Sequence, residues 1–359
     1  MIATPDDLAA AVERWRQAPW LTVDTEFVRV DTYHARLCLI QIGDGREAAC
    51  IDTTALPDLT PLLELLESPQ SIKVFHAPGQ DLEILVRLRG RGPQPLFDTQ
   101  IAATLLGIGD QIGYAGLVEK RLGIVVDKSL SRTDWARRPL REAELAYAAA
   151  DVSHLATIYP ALQQALADSG RLGWLAEDCA RLCEPSQYQQ DPAEAWQRLK
   201  GLARMDPRAQ VVAAALCAWR EHEAQARDRP RKWIVEDDAI YRLAERRPRS
   251  RDELSALSVL PPRTLERHGD TLLATIESAM AQPEARLARD DEFSPAQKEK
   301  LKALQAQVQT RAAELNLPAS FLAPRAELVA LVYDGAQADA NVLRGWRREV
   351  CGETLIAAL

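Results

Sequence analysis

The sequence lacks the features of a membrane protein or an exported protein. No apolar run approaches the roughly 18 residues that a membrane span needs, and no low-complexity tract occurs. The N-terminal stretch "MIATPDDLAAAVERW" carries acids where signal and transit peptides carry basic residues. A membrane span and a targeting segment are therefore not expected, and the cytoplasm is the expected location.

Cysteine is present but too sparse for a fold held together by disulfides. Six cysteines are scattered over 359 residues, and one pair, Cys179 and Cys183, lies one helical turn apart. This pair has no second pair of Cys or His residues at the spacing of a zinc site. We therefore expect two packed thiols on a helix rather than a metal centre.

A basic excess is also missing, which argues against indiscriminate binding to nucleic acid. The net charge is −8. Residues 1–170 carry 16 Lys and Arg against 23 Asp and Glu, whereas residues 171–359 carry 28 against 29. The acidic segment 1–170 would need bound cations in order to bind a polyanion such as nucleic acid. It would bind a cationic partner without them. Charge alone leaves both possibilities open.

The length and the hydrophobic pattern predict two or three domains, the first of which is built on a sheet. Strands are predicted over residues 20–28, 36–43 and 47–53, with turns near Tyr33 and at "GDG". Strand and helix patterns then alternate through "LTPLLELLES", "SIKVFHA", "QDLEILVRL" and "YAGLVEKRLG" to the long helix in "LREAELAYAAADVSHLATIYPALQQAL". This order predicts an α/β domain with a mixed sheet covered by helices.

Strand signals end near residue 170, and the rest of the chain is predicted to be helical. Two stretches rich in Pro, Gln and Asp, "CEPSQYQQDP" and "AQPEARLARDDEFSP", divide it into two segments with a faint internal similarity. The predicted organisation is a first domain, a helical linker and two all-α domains, over residues 1–170, 171–206, 207–288 and 293–359 respectively.

Asp24 and Glu26 stand in a strand whose pattern predicts burial. In "WLTVDTEF", alternation places Leu21, Val23 and Thr25 on one face and both acids on the other. Acids two residues apart are common by chance, so it is their place in an apolar strand that marks this pair. A protein interior accepts two adjacent carboxylates only when something positive is held between them.

Two further segments supply candidate partners for this pair. In "SIKVFHAPGQDLEIL", a strand and a tight turn precede Asp81, which lies in the first turn of a helix. The helix dipole alone also favours an acid there. In "YAAAD", Tyr147 and Asp151 share one helix face at i and i+4, although about one such pair is expected by chance in a chain of this composition.

The order of these segments allows four carboxylates to converge on one sheet. Four acids without basic partners cannot all stay ionised in a dry cleft, and divalent cations remove that difficulty. Two Mg²⁺ or Mn²⁺ ions about 4 Å apart are the usual ion set for phosphodiester cleavage, and a tyrosine hydroxyl would orient the attacking water. The sequence therefore predicts a candidate two-metal site.

Five motifs give this pattern a resemblance to a known family. The motifs "VDTEF", "HAPGQD", "FDTQIAATLLG", "SRTDWARRPL" and "YAAADVSHL" resemble, in order and spacing, the DEDD exonuclease superfamily in its tyrosine branch. The histidine branch has His where this chain has Ala146. The helical second half resembles two HRDC (helicase and RNase D C-terminal) domains. Together the two parts resemble the ribonuclease D family over essentially the whole chain.

The resemblance implies a fold, a reaction and a set of site residues. The fold would be a ribonuclease-H-like mixed-sheet exonuclease domain followed by two all-α HRDC-like domains. The reaction would release 5′-mononucleotides from RNA 3′ ends in a 3′-to-5′ direction, as in the trimming of tRNA precursors, with no obligate protein partner. The implied metal ligands are Asp24, Glu26, Asp81 and Asp151, and Tyr147 would position the water.

Several side chains near these motifs have two interpretations. His76 and His154 are predicted to be packing or outer-shell residues, because the carboxylates suffice for hard cations. The segment "TDWARRPLREAE" either contacts RNA through phosphate and base contacts or forms a solvated loop around a buried tryptophan. This choice stays open for Trp135, Arg137, Arg138 and Arg141.

Other functional classes remain as alternatives. One is a DNA 3′-to-5′ exonuclease of the same branch, against which the tandem HRDC-like tail favours the RNA enzyme. Another is an inactive nuclease fold that acts as a nucleic-acid-binding scaffold, which would predict loss of at least one ligand. The last is a helical adaptor with an acidic partner-binding domain. Metal-dependent cleavage would separate the enzymes from the other two.

Overall fold

The computed structural model describes residues 1–288 and 293–359, and in it the chain forms two compact units. The first unit comprises Met1–Val28, Leu37–Tyr188 and Phe293–Leu359. The second comprises Arg29–Arg36 and Gln189–Glu292, of which residues up to 288 are described.

A five-stranded mixed sheet forms the centre of the first unit. In chain order its strands are β1 (Trp20–Val28), β2 (Arg36–Gly43), β3 (Ala48–Asp52), β4 (Ile72–Phe75) and β5 (Leu96–Asp98), and their order across the sheet is β3-β2-β1-β4-β5. Strand β1 runs parallel to β4 and β4 parallel to β5, whereas β2 and β3 are antiparallel. The mixed sheet and the three predicted strands of the meander are confirmed.

Strand β1 is held in the middle of the sheet by a buried hydroxyl. Thr22 is fully buried, and its hydroxyl lies 3.2 Å from the carbonyl oxygen of Gly43 and 2.9 Å from that of Val152. A Cβ atom at position 43 would come within 2.5 Å of that hydroxyl, so only glycine fits here. The close contact ties β1 to β2 and to the helix that carries Val152.

Seven helices surround the sheet in the first unit: α1 (Pro5–Trp15), α2 (Thr60–Glu67), α3 (Gly79–Arg89), α4 (Thr99–Leu105), α5 (Tyr114–Leu122), α6 (Glu142–Asp168) and α7 (Leu172–Leu182). The helical patterns from residue 60 onward are confirmed. Helix α1 was not predicted, although Thr4 caps it, a proline opens it, and Leu8, Ala11, Val12 and Trp15 form its buried stripe. Cys179 and Cys183 are buried free thiols, as expected.

The C-terminal segment of the first unit is helical. Its helices are α13 (Pro295–Leu315), α14 (Ala319–Leu322), α15 (Arg325–Asp334), α16 (Gly345–Arg347) and α17 (Glu353–Ala357), and a π-helical turn over Arg348–Gly352 joins the last two. A capping box at Ser294 begins α13. Buried residues of this segment, including Leu304, Leu331 and Leu355, belong to the same hydrophobic core as the sheet.

The second unit is a separate helical bundle with its own core. Its helices are α8 (Pro207–Ala226), α9 (Arg231–Ile234), α10 (Asp237–Arg246), α11 (Arg251–Ala256) and α12 (Pro262–Ala281). Leu216, Leu243 and Leu272 are among the residues that pack in its centre. Within the described ranges 99–288 and 293–359 the chain has no further strand, which agrees with the expected loss of strand signals.

The two units do not follow the four predicted segments, and those segment boundaries stay a prediction. The dividing stretch "AQPEARLARDDEFSP" includes residues 289–292, which lie outside the described part of the chain. None of the described helices combines the length and the apolar character that crossing a bilayer requires.

Candidate active site

Three of the four predicted carboxylates meet at one point of the sheet. One oxygen each of Asp24, Glu26 and Asp151 lies within 4.8 Å of the others. Asp24 and Glu26 project from β1, in which the adjacent residues Val23 and Thr25 are buried. Asp151 comes from the face of α6 that packs on the sheet. Residues 127 positions apart in sequence therefore form one oxygen-lined cluster.

Asp81 lies in the first turn of α3, after the end of β4, as predicted. It is outside the group of oxygens within 4.8 Å, but the hydroxyl of Thr25 donates a hydrogen bond to its carboxylate. This bond holds Asp81 against β1, and its charge acts on both Asp24 and Glu26, so the fourth acid lies close to the cluster.

Burial raises the pKa of all four carboxylates, and the charges of the other acids add to this for Asp24 and Glu26. The pKa of Asp24 is raised well above its usual value, first by burial and then by the charges of the other three acids. Burial, followed by the charges of Asp151 and Asp81, raises the pKa of Glu26 to about 8. Burial also raises the pKa of Asp81 and of Asp151 to about 6. Burial together with this repulsion means that the four acids cannot all be ionised at neutral pH without a cation.

The donor set fits divalent metal ions. Carboxylate oxygens are hard ligands of the kind that Mg²⁺, Mn²⁺ and Ca²⁺ prefer. Burial also makes the negative charge of these acids unfavourable unless a cation compensates it. A bound divalent cation would restore the acids to their ionised form. These residues therefore form a candidate metal centre.

Tyr147 lies four residues before Asp151 on α6, at the edge of this cluster. Its ring stacks on that of Trp135 with the centroids 6.3 Å apart and the planes 27° from parallel. Burial, followed by the charges of Asp151, Glu26 and Asp24, raises the pKa of Tyr147 to about 12. At neutral pH this side chain is thus a neutral phenol, suited to orient a water by a hydrogen bond rather than to remove a proton.

Tyr114, at the start of α5, is a residue of the site that the sequence did not mark. Its hydroxyl lies 3.2 Å from the carbonyl oxygen of Ala150, 3.1 Å from that of Asp151 and 2.9 Å from Nδ1 of His154. These contacts fix the backbone of α6 where it carries the third acid of the cluster. No local pattern around position 114 distinguishes it from an ordinary helix-start tyrosine.

The two histidines contact protein side chains. His154 meets the hydroxyl of Tyr114, and Nδ1 of His76 lies 2.9 Å from the hydroxyl of Thr99. Neither belongs to the carboxylate cluster found among the described residues. This arrangement agrees with the packing and outer-shell roles predicted for them.

The segment predicted as a possible RNA contact pairs with acids of the protein. Nε and Nη2 of Arg138 each donate a hydrogen bond of 2.6 Å to one oxygen of the Asp52 carboxylate. Arg137 and Arg141 bind the carboxylate of Glu144. Trp135 is 2% exposed. The structure gives all four side chains contacts within the protein, and their contact with RNA stays a prediction.

The fold and the site together define a class of protein. A family model described as a 3′-5′ exonuclease matches residues 1–167, the range that contains the sheet, the cluster and Tyr147. A second model, described as an HRDC domain, matches residues 209–276 within the helical unit. The first part is thus a 3′-5′ exonuclease domain and the second includes an HRDC domain, whereas the predicted second HRDC-like segment, 293–359, stays a prediction.

Comparison with known proteins identifies the family. The chain is 39% identical to a ribonuclease D of Pseudomonas paraeruginosa, over 98% of this chain and 95% of that protein. It is 40% identical to a ribonuclease D of Zymomonas mobilis, over 100% of this chain and 93% of that protein. With that likeness over nearly the full length, the chain belongs to the ribonuclease D family, as its motifs indicated.

A solved structure extends this likeness to the architecture. The crystal structure of Escherichia coli RNase D, described as an exoribonuclease involved in structured RNA processing, superposes with a TM-score of 0.92 at 33% identity. The match covers 100% of this chain and 98% of that one. The chain is a hydrolytic 3′-to-5′ exoribonuclease, and its exonuclease domain implies the use of divalent metal ions.

Proposed function

We propose that Asp24, Glu26, Asp81 and Asp151 hold two divalent cations, Mg²⁺ or Mn²⁺, and that Tyr147 positions the water that attacks the last phosphodiester bond of an RNA. The observation that carries this proposal is the convergence of three carboxylate oxygens within 4.8 Å, from one buried and two partly buried acids. When bound, such ions lower the pKa of the attacking water and stabilise the leaving oxygen.

The protein's own residues have distinct tasks in this scheme. The acids supply ionised oxygens, and Thr25 keeps Asp81 in place by a hydrogen bond. Tyr147 orients the water through its neutral hydroxyl, while the Trp135 ring packed beside it limits its rotation. Each cycle would release one 5′-mononucleotide and leave a new 3′ hydroxyl on the shortened RNA.

We also propose a substrate class. Single-stranded 3′ ends of RNA, and tRNA precursors in particular, fit a family whose Escherichia coli member is described as acting in structured RNA processing. The helical segment 293–359 is proposed to be a second HRDC-like domain that helps to bind these RNAs. Six free cysteines fit a reducing compartment such as the cytoplasm.

The test is digestion of a 5′-labelled RNA that carries a 3′ extension, beside a DNA of the same sequence, in Mg²⁺, in Mn²⁺ and in EDTA. The wild type should shorten the RNA stepwise from its 3′ end in either metal and not in EDTA. Asp24→Asn should be inactive, whereas Asp168→Asn, an exposed acid at the far end of α6, should match the wild type.

Other results would change the proposal. Equal digestion of the DNA would keep the chemistry but reject the substrate class. Unchanged cleavage in excess EDTA would reject the metal site. Binding of RNA without cleavage of either polymer would make the protein a scaffold.

A further inference from the structure

A polar cavity of about 460 Å³ opens beside the N-terminal end of α6. Its lining includes Ser129, Arg132, Thr133, Arg137, Arg141 and Glu144. All of these residues belong to the exonuclease domain, and none is one of the acids or the tyrosine of the candidate active site. We refer to it below as the arginine pocket.

The arginine pocket is positively charged within an acidic domain. Its lining has three arginines and two acids, Asp134 and Glu144, whereas residues 1–170 as a whole have seven more acids than bases. Glu144 is 1% exposed, so its charge lies at the base of the pocket rather than at its mouth. A ligand that enters therefore meets guanidinium groups first.

The arginines retain N–H donors that no residue in the described part of the chain accepts from. Arg137 binds Glu144 through Nη2 and the carbonyl of Pro139 through Nη1, which leaves its Nε–H. Arg141 binds Glu144 through Nε and Nη2, which leaves Nη1. Arg132 is exposed and has no hydrogen bond or ion pair to any residue that the structure describes. Glu144 thus orients two guanidiniums, and the third is unengaged.

The pocket lies on the same face of α6 as the candidate active site. Glu144, Tyr147 and Asp151 are spaced i, i+3 and i+7 along the helix, so they share one face. The distance from the first to the last along the helix axis is about 10 Å, seven residues at 1.5 Å each. Trp135 follows Asp134 of the pocket lining and stacks on Tyr147, which connects the two sites through packed rings.

The direction of the reaction decides what reaches the pocket. An enzyme that removes the 3′-terminal nucleotide leaves the rest of the substrate on the 5′ side of the bond it cuts. The pocket includes Glu144, which lies about 10 Å along the helix axis from Asp151, and the upstream part of the same strand can therefore reach it. Guanidinium groups match the geometry of phosphate oxygens and bind them with charge-assisted hydrogen bonds.

We propose that the arginine pocket binds a backbone phosphate of the RNA strand upstream of the scissile bond, with Arg132, Arg137 and Arg141 as donors. This inference rests on the proposed function, because it takes the carboxylate cluster as the place of cleavage. A contact to phosphate carries no base preference, so the pocket would strengthen the binding of any RNA long enough to reach it.

The test compares RNA lengths in an inactive background. Binding of a ten-nucleotide and a two-nucleotide RNA to Asp24→Asn is measured by fluorescence anisotropy with and without Arg132→Ala. We expect the added change to weaken the Kd for the longer RNA about tenfold, which is about 1.4 kcal/mol. The salt dependence of that Kd should fall by about 0.7 in the log–log slope, the value for one phosphate of a single strand.

Two controls sharpen this comparison. Arg132→Lys keeps the positive charge and should recover most of the affinity. Arg46→Ala removes an exposed arginine at the turn between β2 and β3, whose side chain has no hydrogen bond or ion pair to any described residue, and should leave the Kd unchanged. If Arg46→Ala weakened the Kd as much as Arg132→Ala does, the effect would be general charge attraction, and the proposal that the pocket binds a phosphate would be wrong.

Cleavage and binding fail independently in this design. If Arg132→Ala leaves the Kd for the ten-nucleotide RNA unchanged, the proposal that the arginine pocket binds a phosphate is wrong, whatever RNA the wild type cleaves. Failure of the wild-type protein to cleave RNA in Mg²⁺ or Mn²⁺ overturns the proposed function and, with it, the assignment of the phosphate as upstream.

Discussion

Arg347 and Asp178 form a buried ion pair that joins the C-terminal helical segment to helix α7. Nη1 and Nη2 of the arginine lie 2.5 and 3.0 Å from the two carboxylate oxygens, and both side chains are less than one-tenth exposed. Beside them the rings of Trp174 and Trp346 stack with centroids 4.5 Å apart and planes 7° from parallel. The segment 293–359 is therefore an integral part of the first compact unit.

Removing one partner of this ion pair should destabilise the first unit strongly. Arg347→Met keeps much of the side-chain volume but leaves the buried Asp178 carboxylate with only Arg181 and the Trp346 indole as partners. Loss of one partner from a buried pair costs about 3–5 kcal/mol, and because these two contacts remain we expect the lower end of that range. We expect a clear fall in the midpoint of thermal unfolding of the intact chain, measured by circular dichroism.

The adjacent residue provides a matched control for this change. Arg348 pairs with Glu353 at the surface, where both side chains are more than half exposed. Arg348→Met should change the free energy of unfolding by no more than about 1 kcal/mol. Equal effects of the two substitutions would contradict a structural role for the buried pair.

Metal binding should stabilise the exonuclease domain through the carboxylate cluster. Wild-type protein at neutral pH should unfold at a higher temperature in Mg²⁺ than in EDTA. The free energy of unfolding should rise by about 2.7 kcal/mol when the ion is present at 100 times its Kd. Asp151→Asn should lose this gain. In EDTA it should be at least as stable as the wild type, because one of four mutually repelling acids has been neutralised.

Asp168→Asn tests whether the effect belongs to the cluster. This acid is exposed on the last turn of the same helix, so its variant should respond to Mg²⁺ as the wild type does. A metal-free Asp151→Asn protein that unfolds well below the wild type would show that the acid stabilises the fold by itself.

Tyr147→Phe should reduce catalysis while leaving RNA binding intact. The change removes one hydroxyl and keeps the ring that packs on Trp135. Loss of a single positioned hydrogen bond in the transition state costs about 10²–10³-fold in kcat. Single-turnover cleavage and the Kd for RNA in Ca²⁺ would separate the two effects.

Tyr159→Phe is the natural control on the same helix. The hydroxyl of Tyr159 is buried and has no hydrogen-bond partner among the described residues, so its removal should leave kcat unchanged. If Tyr147→Phe were as active as this control, the tyrosine would have no part in positioning the water.

The stability of the exonuclease domain should depend on pH below 4 through Asp52. Burial alone would raise the pKa of this carboxyl, but hydrogen bonds from Arg138 and Thr54 outweigh it and hold the pKa at about 2, below the usual 3.8. A pKa lowered by folding contributes stability that is present above the unfolded value and is lost as pH falls through the folded value. The loss should therefore fall between about pH 4 and pH 2.

Asp52→Asn removes the titrating group and should flatten this part of the curve of unfolding free energy against pH. Asp110→Asn, which changes an exposed acid, should keep the slope of the wild type. A wild-type slope in the Asp52→Asn protein would assign the acid sensitivity to other carboxylates.

Local patterns were sufficient to predict most of the sheet and three acids of the cluster. The strand bounds around Asp24 follow from period-two alternation, and the shared face of Tyr147 and Asp151 follows from helical spacing. Both signals are contained in fewer than ten residues, so they need no knowledge of the rest of the chain.

Contacts between distant segments could not be predicted in this way. Tyr114 reaches the carbonyl of Asp151 across 37 positions, and Trp174 stacks on Trp346 across a still longer interval. The sequence around Tyr114, Trp174 or Trp346 predicts only that an aromatic residue lies on a helix. Which partner it meets depends on how the helices pack, and the same applies to Arg137 and Arg141, whose shared acid was not foreseen.

The most direct measurement is a calorimetric titration of the metal-free protein with Mn²⁺ at neutral pH, for the wild type and Asp24→Asn. We predict two saturable sites per chain in the wild type and the loss of at least one in the variant, with protons released on binding because the acids start partly protonated. A wild-type protein that takes up no Mn²⁺ at saturable sites, or a variant that binds as the wild type does, would contradict a metal centre at Asp24, Glu26 and Asp151.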